Sequence, residues 1–404
     1  MNQNLETSVK TNSQTNFADS NRRIVIADIL RAFAVGAIML LHSIEHFNFY
    51  RFPETTCKLL QFTDKAIWDS MFFMFGGKAY AIFALLFGLS FFIQRENRLK
   101  KGEDFRFRFA WRLVLLFLWG NLNAAFFTGE VLVLYSLVGF VMIFVAHLKS
   151  KTILIIAAIL MLQPIEWGKL IYALSNPDYV MPTPLSSIYF QKAYPVLENG
   201  SFLETVKMNL YEGQLASITW AWSNGRFCQT ASLFMLGYLM GRHNIFSKTD
   251  DNRRLFVHIV IVSLICFFPL NGLYNMIGGF VENKAVLTPL RLIFKSLASF
   301  AFMSILVSSI TLFYYYCKGG SKLDKIAPYG RMSLTNYIMQ SVVGSMLFYG
   351  WGFALYQYLG TTFSILLGVV LLILQFKFSL WWMSTHRQGP LEAIWHKLTW
   401  IGSK

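Results

Sequence analysis

The chain has 404 residues, of which 55% are hydrophobic and only 14% are charged. A soluble domain carries about 25% charged residues, so this composition excludes an ordinary soluble protein. The apolar runs are continuous rather than alternating, which favours membrane helices over a β-barrel. The net charge of +15 lies in short loops between these runs, a pattern typical of membrane topology and not of a nucleic-acid-binding domain.

The apolar runs predict an all-α, polytopic integral membrane bundle of about ten transmembrane helices. Residues 1–20 are polar and are expected to form a disordered cytosolic tail, and residues 21–404 a single transmembrane domain. The predicted spans are Ile24–Phe47, Ile67–Ile93, Phe109–Phe127, Val131–His147, Thr152–Leu174, Phe227–Gly241, Phe256–Ile277, Leu290–Tyr316, Ser333–Gly350 and Thr361–Met383.

Basic residues fall in alternate loops, including Arg22 and Arg23, whereas the loops near residues 129, 280 and 355 carry almost none. The positive-inside rule therefore predicts that both termini are cytosolic. Ser175–Gly225 is expected to be a long exterior loop. Its segment 202–222 is amphipathic and either lies in the membrane interface or caps a cavity.

The first predicted span carries ionisable residues within an apolar run. The spacing of Asp28, Arg31, His42 and Glu45 follows the three- and four-residue steps of a helix, so these residues share one helical face. Arg31 and His42 are separated by about three turns, or ~16 Å along the axis. Ionisable groups in membrane helices often mark functional sites, and histidine is the usual general base. The pattern predicts a reactive His42 and an anion-holding Arg31. The alternative is a purely structural polar network, in which Asp28 pairs with Arg31 at i,i+3 and His42 bonds a neighbouring helix.

Residues 42–46, His-Ser-Ile-Glu-His, also match H-x-x-E-H, a zinc-binding pattern. No third ligand is evident and enzymes with this motif are soluble, so no metal is expected. Glu45 and His46 remain candidate catalytic residues beside His42. The four cysteines are scattered without metal or redox spacing.

A basic run, RFRFAWR, precedes and enters the third predicted span. Arginine suits phosphate because its guanidinium donates paired hydrogen bonds. Arg108 and Arg112 are candidate ligands for an anionic cofactor, whereas Arg106 is expected mainly to mark the cytosolic side.

Polar residues also lie within later spans. Glu130 begins the fourth span, and Asn336 and Gln340 share a face of the ninth because they are four residues apart. These three are candidate substrate contacts; the alternative is that they only hold helices together.

Five stretches of the chain resemble the YeiB-like, DUF418 family of bacterial membrane proteins over nearly its whole length. They are ADILRAFAVGAIML from Ala27, GKAYAIFALLFGLSF from Gly77, GEVLVLYSLVGF from Gly129, GRMSLTNYIMQS from Gly330 and GPLEAIW from Gly389. The family is similar to the transmembrane acyltransferases, including the acyltransferase-3 proteins and heparan-glucosaminide acetyltransferase. Acyltransferase-3 proteins carry R-x10-H on the first span, which Arg31 and His42 reproduce. Glu130, where the family commonly has Asp, and Ala32, where Gly is more frequent, are departures.

This resemblance implies a membrane acyltransferase that moves an acyl group, with acetyl expected, from cytosolic acyl-CoA to an extracytoplasmic or membrane-bound sugar, amine or lipid-linked acceptor. Arg31, Arg108 and Arg112 would hold the CoA phosphates, and His42 would act on the thioester. The alternative is a transporter or small-molecule-binding protein that uses the same polar stripe. The expected location is the bacterial inner membrane. The expected partners are the bilayer, acyl-CoA and the acceptor; a homo-oligomer is left open.

Overall fold

The computed structural model describes residues 24–45, 47, 49–50 and 52–402. The predicted tail at residues 1–20, the basic pair Arg22 and Arg23, and the candidate His46 lie outside the described residues.

The described residues fold into seventeen α-helices without a β-strand. Short 3-10 segments lie at Ile277–Gly279, Gly320–Ile326 and Leu355–Gln357, and a π-helical turn lies at Asn209–Gly213. The helices are α1 Val25–Ile44, α2 Lys58–Phe75, α3 Ala79–Leu99, α4 Arg106–Ala124, α5 Leu132–Val145, α6 Ser150–Met161, α7 Pro164–Ser175, α8 Leu185–Asn199, α9 Phe202–Met208, α10 Gln214–Ser223, α11 Arg226–Arg242, α12 Asp250–Met276, α13 Lys284–Tyr316, α14 Ala327–Arg331, α15 Ser333–Phe348, α16 Thr361–Thr385 and α17 Pro390–Thr399.

Five stretches of the described chain are long and apolar enough to cross a membrane, or six if the bent pair α6–α7 forms one span. The five are α1, the α2–α3 unit, α12 with its 3-10 extension, α13 and α16. The remaining predicted spans fall on α4, which carries three arginines, and on α5, α11 and α15, which are shorter than 18 residues. The protein is therefore an all-helical membrane protein, and the total of ten spans stays a prediction.

Two of the predicted spans are interrupted. The run Ile67–Ile93 contains a break at residues 76–78, where Gly77 has φ +76°, a conformation that glycine adopts without strain. The run Thr152–Leu174 bends by 43° at Gln163 and Pro164, because proline lacks the amide hydrogen that a continuous helix requires. Hydropathy alone does not register either break.

Most of the segment Ser175–Gly225 between the predicted spans forms α8, α9 and α10, and its exterior position stays a prediction. Ser201 begins α9 with a capping box in which its hydroxyl and the Glu204 carboxylate satisfy each other's backbone amides. Asn209 donates to the carbonyl of Ala125, and Ser217 donates to the carbonyl of Glu130. The segment therefore packs across the loop that joins α4 to α5, which favours the capping alternative.

Helix α1 lies at the centre of the bundle and contacts α2, α3, α14, α15 and α16. Gly330 in α14 lies so close to the carbonyl of Asp28 that a Cβ atom there would overlap it, at 1.9 Å. Gly88 of α3 and Gly237 of α11 meet the opposing backbone in the same way. Small residues let membrane helices approach closely, and the close packing of α1 fixes the depth of Arg31 and His42.

Candidate functional site

A cavity of about 230 Å³ lies beside α1, between α3, α4, α5 and α15. Three arginines, Arg31, Arg112 and Arg331, line it, together with Trp395 of the last helix. Its other walls are mainly aromatic and aliphatic, and the polar exceptions are Ser90, Gln94, Tyr135, Ser333 and Tyr337. A cationic cavity with apolar walls suits an anionic ligand that carries a less polar arm.

Arg31 is held in place at this cavity by two side chains. Its guanidinium donates to the Asp28 carboxylate at 2.7 Å and to the Ser90 hydroxyl of α3 at 2.6 Å. The Asp28–Arg31 pair expected from the i,i+3 spacing is therefore confirmed. The two bonds fix the direction of the guanidinium, which still lines the cavity.

The three arginines of the basic run have three different environments. Arg106 pairs with Asp104 at the surface, with 2.7 Å between nitrogen and oxygen. Arg108 donates to the carbonyls of Thr399 and Ile401 at the end of α17, and it does not line the cavity. Arg112 does line it and lies 4.3 Å from the ring centre of Trp395. The structure thus retains Arg112 as a candidate ligand and assigns Arg108 to packing of the C-terminus.

The last helix is fixed to the start of α15 by Glu392. Its carboxylate accepts from the backbone amides of Leu334 and Thr335, at 2.7 and 3.1 Å, and from the Thr335 hydroxyl at 2.6 Å. A side chain from a distant helix therefore supplies the N-terminal cap that α15 lacks. Burial raises the pKa of Glu392, an effect opposed by the hydrogen bonds from Thr335. Gly389 makes room for this carboxylate, since a Cβ atom there would lie 2.1 Å from it.

His42 is buried, with 8% of its surface exposed, and it does not line the cavity. Its ring contacts Phe127 at 4.5 Å, Phe47 at 6.1 Å and Tyr337 at 6.4 Å between ring centres. Tyr337 also lines the cavity. The Tyr337 side chain therefore contacts both the cavity and the histidine ring.

The other residues predicted on the first helix are less informative. Glu45 follows the last residue of α1 and accepts from the Tyr50 hydroxyl at 3.4 Å. His46 lies outside the described residues, and with it the second histidine of the zinc pattern. Among the residues that the structure does describe, no group of three or more His, Cys, Asp or Glu could hold a metal ion.

Two of the candidate substrate contacts are engaged in packing. The buried carboxylate of Glu130 accepts from the side-chain amide of Asn123 and from the backbone amide of Leu132 at the start of α5. The Asn336 amide donates to the carbonyl of Tyr329 at 3.1 Å and to the Ser379 hydroxyl of α16 at 3.0 Å. Both therefore hold helix termini or neighbouring helices, which is the structural alternative left open by the sequence.

Gln340 differs from these two. It is fully buried, and neither atom of its amide has a hydrogen-bond partner among the described residues. It lies on α15 between Tyr337, which contacts His42, and Gly344, which contacts the Phe47 ring. A buried amide without partners costs free energy, so Gln340 is the one predicted substrate contact that retains its hydrogen-bonding capacity.

Sequence reasoning did not assign a site role to Arg331 or Trp395. In the sequence, Arg331 lies in a basic loop, which the positive-inside rule explains. Trp395 lies in a short segment near the end of the chain, which a surface helix explains. Both lie in the stretches GRMSLTNYIMQS and GPLEAIW. The Glu392 cap joins these two stretches, and that contact brings both side chains to the cavity.

Residues 240–402 match the family described as "Protein of unknown function (DUF418)". The "Uncharacterized protein YxaH" of Bacillus subtilis (strain 168) is 25% identical over 95% of both chains. The "Uncharacterized 39.9 kDa protein in amylase 3'region" of Bacillus acidopullulyticus is 24% identical over 94% of both. The "Uncharacterized protein YeiB" of Escherichia coli (strain K12) is 35% identical over 74 residues, 18% of this chain and 19% of that one. No solved structure matches the chain. These matches confirm the resemblance to the YeiB-like, DUF418 family.

Proposed function

We propose that this DUF418-type membrane protein is an acyltransferase of the bacterial cytoplasmic membrane that takes an acyl group, with acetyl expected, from cytosolic acyl-CoA. The observation that carries the proposal is the arginine-lined cavity, whose lining residue Tyr337 also packs against the buried His42. Arg31, Arg112 and Arg331 are the candidate ligands for the CoA phosphates. The ~16 Å between Arg31 and His42 along the helix is of the order of an extended pantetheine arm.

Two chemical routes are open to His42. In the first, its imidazole removes the proton from an acceptor hydroxyl or amine, which attacks the thioester carbonyl carbon. In the second, the imidazole nitrogen attacks that carbon itself, and the acceptor then attacks the acyl-imidazole. In both routes the carbon–sulfur bond breaks, and the CoA thiolate leaves and takes up a proton. The acceptor would approach from the end of the bundle that α8, α9 and α10 cover.

In either route the thioester has to reach His42, which does not line the cavity. Tyr337 lines the cavity and packs edge-on against the imidazole. Rotation of the Tyr337 ring would open a path from the arginine-lined cavity to the histidine and admit the thioester.

Binding or transport of a small anion is the second candidate, and it is favoured by the absence of His42 from the cavity lining. In this alternative the cavity is a complete binding site and His42 only packs among aromatic rings. Turnover separates the two candidates, since only an enzyme requires the imidazole to exchange a proton or an acyl group.

The test is acetyl-CoA turnover by purified wild type and His42→Gln, followed as release of free CoA thiol. The glutamine keeps much of the side-chain volume but cannot act as a general base, so we expect a 10²–10⁴-fold loss of turnover with acetyl-CoA binding retained. Asn121→Ala serves as a control, because Asn121 is a polar residue of α4 outside the cavity lining. Full turnover by His42→Gln would contradict the assignment of His42.

A further inference from the structure

Three cations lie together at the end of the bundle opposite to the arginine-lined cavity. Lys78 directly precedes α3, and Arg226 is the first residue of α11. Lys295 lies on α13, on the same face as Ser299 one turn further along. The Arg226 guanidinium and the Ser299 hydroxyl both lie 3.5 Å from the position that a Cβ atom of Gly77 would take. Electrostatic repulsion acts on Lys78 from both Lys295 and Arg226. We call Lys78, Arg226 and Lys295 the basic triad.

Within the described residues, no carboxylate forms an ion pair with any member of the triad. Lys78 donates instead to the carbonyl of Phe73 at 2.8 Å, and Arg226 donates to the Gln229 side chain at 2.9 Å. Glu45 acts on Lys295 electrostatically, but the two are not within ion-pair distance. Three like charges without a bound anion destabilise the fold, and each gains free energy when an anion binds.

The triad is separate from the arginine-lined cavity. The Tyr135 hydroxyl, on the cavity side, donates to the carbonyl of Tyr80 at 2.7 Å. The Arg226 guanidinium lies 4.2 Å from the ring centre of Tyr80. No member of the triad lines the cavity, so a ligand of the triad need not be the ligand of the cavity.

Aromatic side chains surround the triad. Lys78 lies over the rings of Phe73 and Phe302, and Arg226 lies 5.5 Å from the ring centre of Trp220. Phe73 and Trp220 are both exposed. Exposed aromatic rings beside cations are typical of the membrane interface, where lipid phosphates lie.

We propose that Lys78, Arg226 and Lys295 form a binding site for the phosphate of an anionic lipid headgroup. The unneutralised charges supply the attraction, the guanidinium supplies paired donors for phosphate oxygens, and the neighbouring rings contact the acyl chains. The site stands independently of the acyltransferase proposal, because it rests on none of the residues of that cavity.

The test is native mass spectrometry of full-length protein in detergent, titrated with phosphatidylglycerol or phosphatidylcholine. We expect selective binding of phosphatidylglycerol that weakens about tenfold in Lys295→Gln, the loss of one charge-assisted hydrogen bond, and more in a Lys78→Gln/Lys295→Gln double variant. The matched control is Lys207→Gln, which removes an exposed lysine of α9 at the same end of the bundle. Melting temperatures without lipid verify folding, and they should not fall, since each substitution relieves repulsion.

A parallel titration with inorganic phosphate and sn-glycerol 3-phosphate identifies the source of the anion. Binding of either that is lost in the same variants supports a phosphate site that takes a soluble ligand. Equal phosphatidylglycerol binding by wild type and the folded double variant would overturn the proposal, as would equal binding of the two lipids by wild type.

Discussion

At the scale of the residue, identical side chains within seven positions take different roles. Arg106 is bound to Asp104 at the surface, Arg108 to carbonyls at the end of α17, and Arg112 lines the cavity. The run RFRFAWR distinguishes them only by depth, and Arg112, the deepest of the three, is the one that lines the cavity. The tertiary contact of Arg108 with residues almost 300 positions away has no local signal.

This difference predicts that Arg112→Ala weakens acetyl-CoA binding about tenfold or more, whereas Arg106→Ala changes it less than twofold. A guanidinium in a cavity of low dielectric gains more from a phosphate than one that is solvated and already paired. Calorimetric titration of both variants with acetyl-CoA measures the difference. Equal, small losses in both variants would show that the basic run only sets topology.

The first helix shows what residue spacing can establish. Spacing on an ideal helix predicted the Asp28–Arg31 pair, which the structure confirms, and the separation of Arg31 from His42. It could not predict that Tyr337 contacts both the cavity and His42, because that residue comes from α15. The polarity of Glu130 and Asn336 was likewise visible in the sequence. The partners of Glu130 come from α4 and the start of α5, and Asn336 donates to Ser379 of α16.

At the scale of the element, the short C-terminal helix is a structural part of the cavity rather than a surface appendage. Glu392 caps α15, while Trp395 and Trp400 pack against Arg112 and Arg98, with ring-centre distances of 4.3 and 3.7 Å. The sequence marks this end of the chain only through the stretch GPLEAIW and does not indicate which helices it packs against.

We therefore expect Glu392→Ala to lower the free energy of unfolding by about 1–3 kcal/mol, because it removes a helix cap and leaves buried amides without partners. The control is Glu103→Ala, whose partner Arg98 lies in a more exposed pair and whose loss should cost less than about 1 kcal/mol. Thermal or denaturant unfolding in detergent gives both values. A Glu392→Ala protein as stable as the control would contradict the capping role.

The segment 175–225 shows what hydropathy cannot establish about individual helices. The sequence marks 202–222 as amphipathic but does not give the number of helices, whereas the structure shows α8, α9 and α10 packed against each other and on the loop after α4. The capping box at Ser201 was a local helix signal in this region. Amphipathic helices that cover the end of a bundle have too little hydropathy to register as spans.

At the scale of the whole molecule, the all-helical membrane class followed from composition alone, whereas the number of spans did not. Helix α11 lies inside the bundle with no exposed residue, so neighbouring helices rather than lipid surround it. By contrast, the apolar stretch at α12 is only 17% buried and presents most of its surface outward. A hydropathy threshold set for lipid-exposed spans therefore recognises α12 and passes over α11.

The loop charges predict that Asn199 is outside the cell and Lys325 is cytosolic. Both are exposed, so each can carry a single cysteine after the four native cysteines are replaced. A membrane-impermeant maleimide should label the Asn199→Cys variant in intact cells and Lys325→Cys only after permeabilisation. The reverse pattern would invert the topology and the direction of acyl transfer.

The most direct test of the central claim is calorimetric titration of the purified wild-type protein with acetyl-CoA, alongside Arg31→Gln and Arg31→Lys. We predict saturable binding by wild type, a loss of about tenfold or more in Arg31→Gln, and partial recovery in Arg31→Lys, which keeps the charge but not the paired donors. Desulfo-CoA should bind as well, since the phosphates and not the thioester contact the arginines. If wild type binds neither compound, the arginine-lined cavity is not a CoA site and the acyltransferase proposal fails.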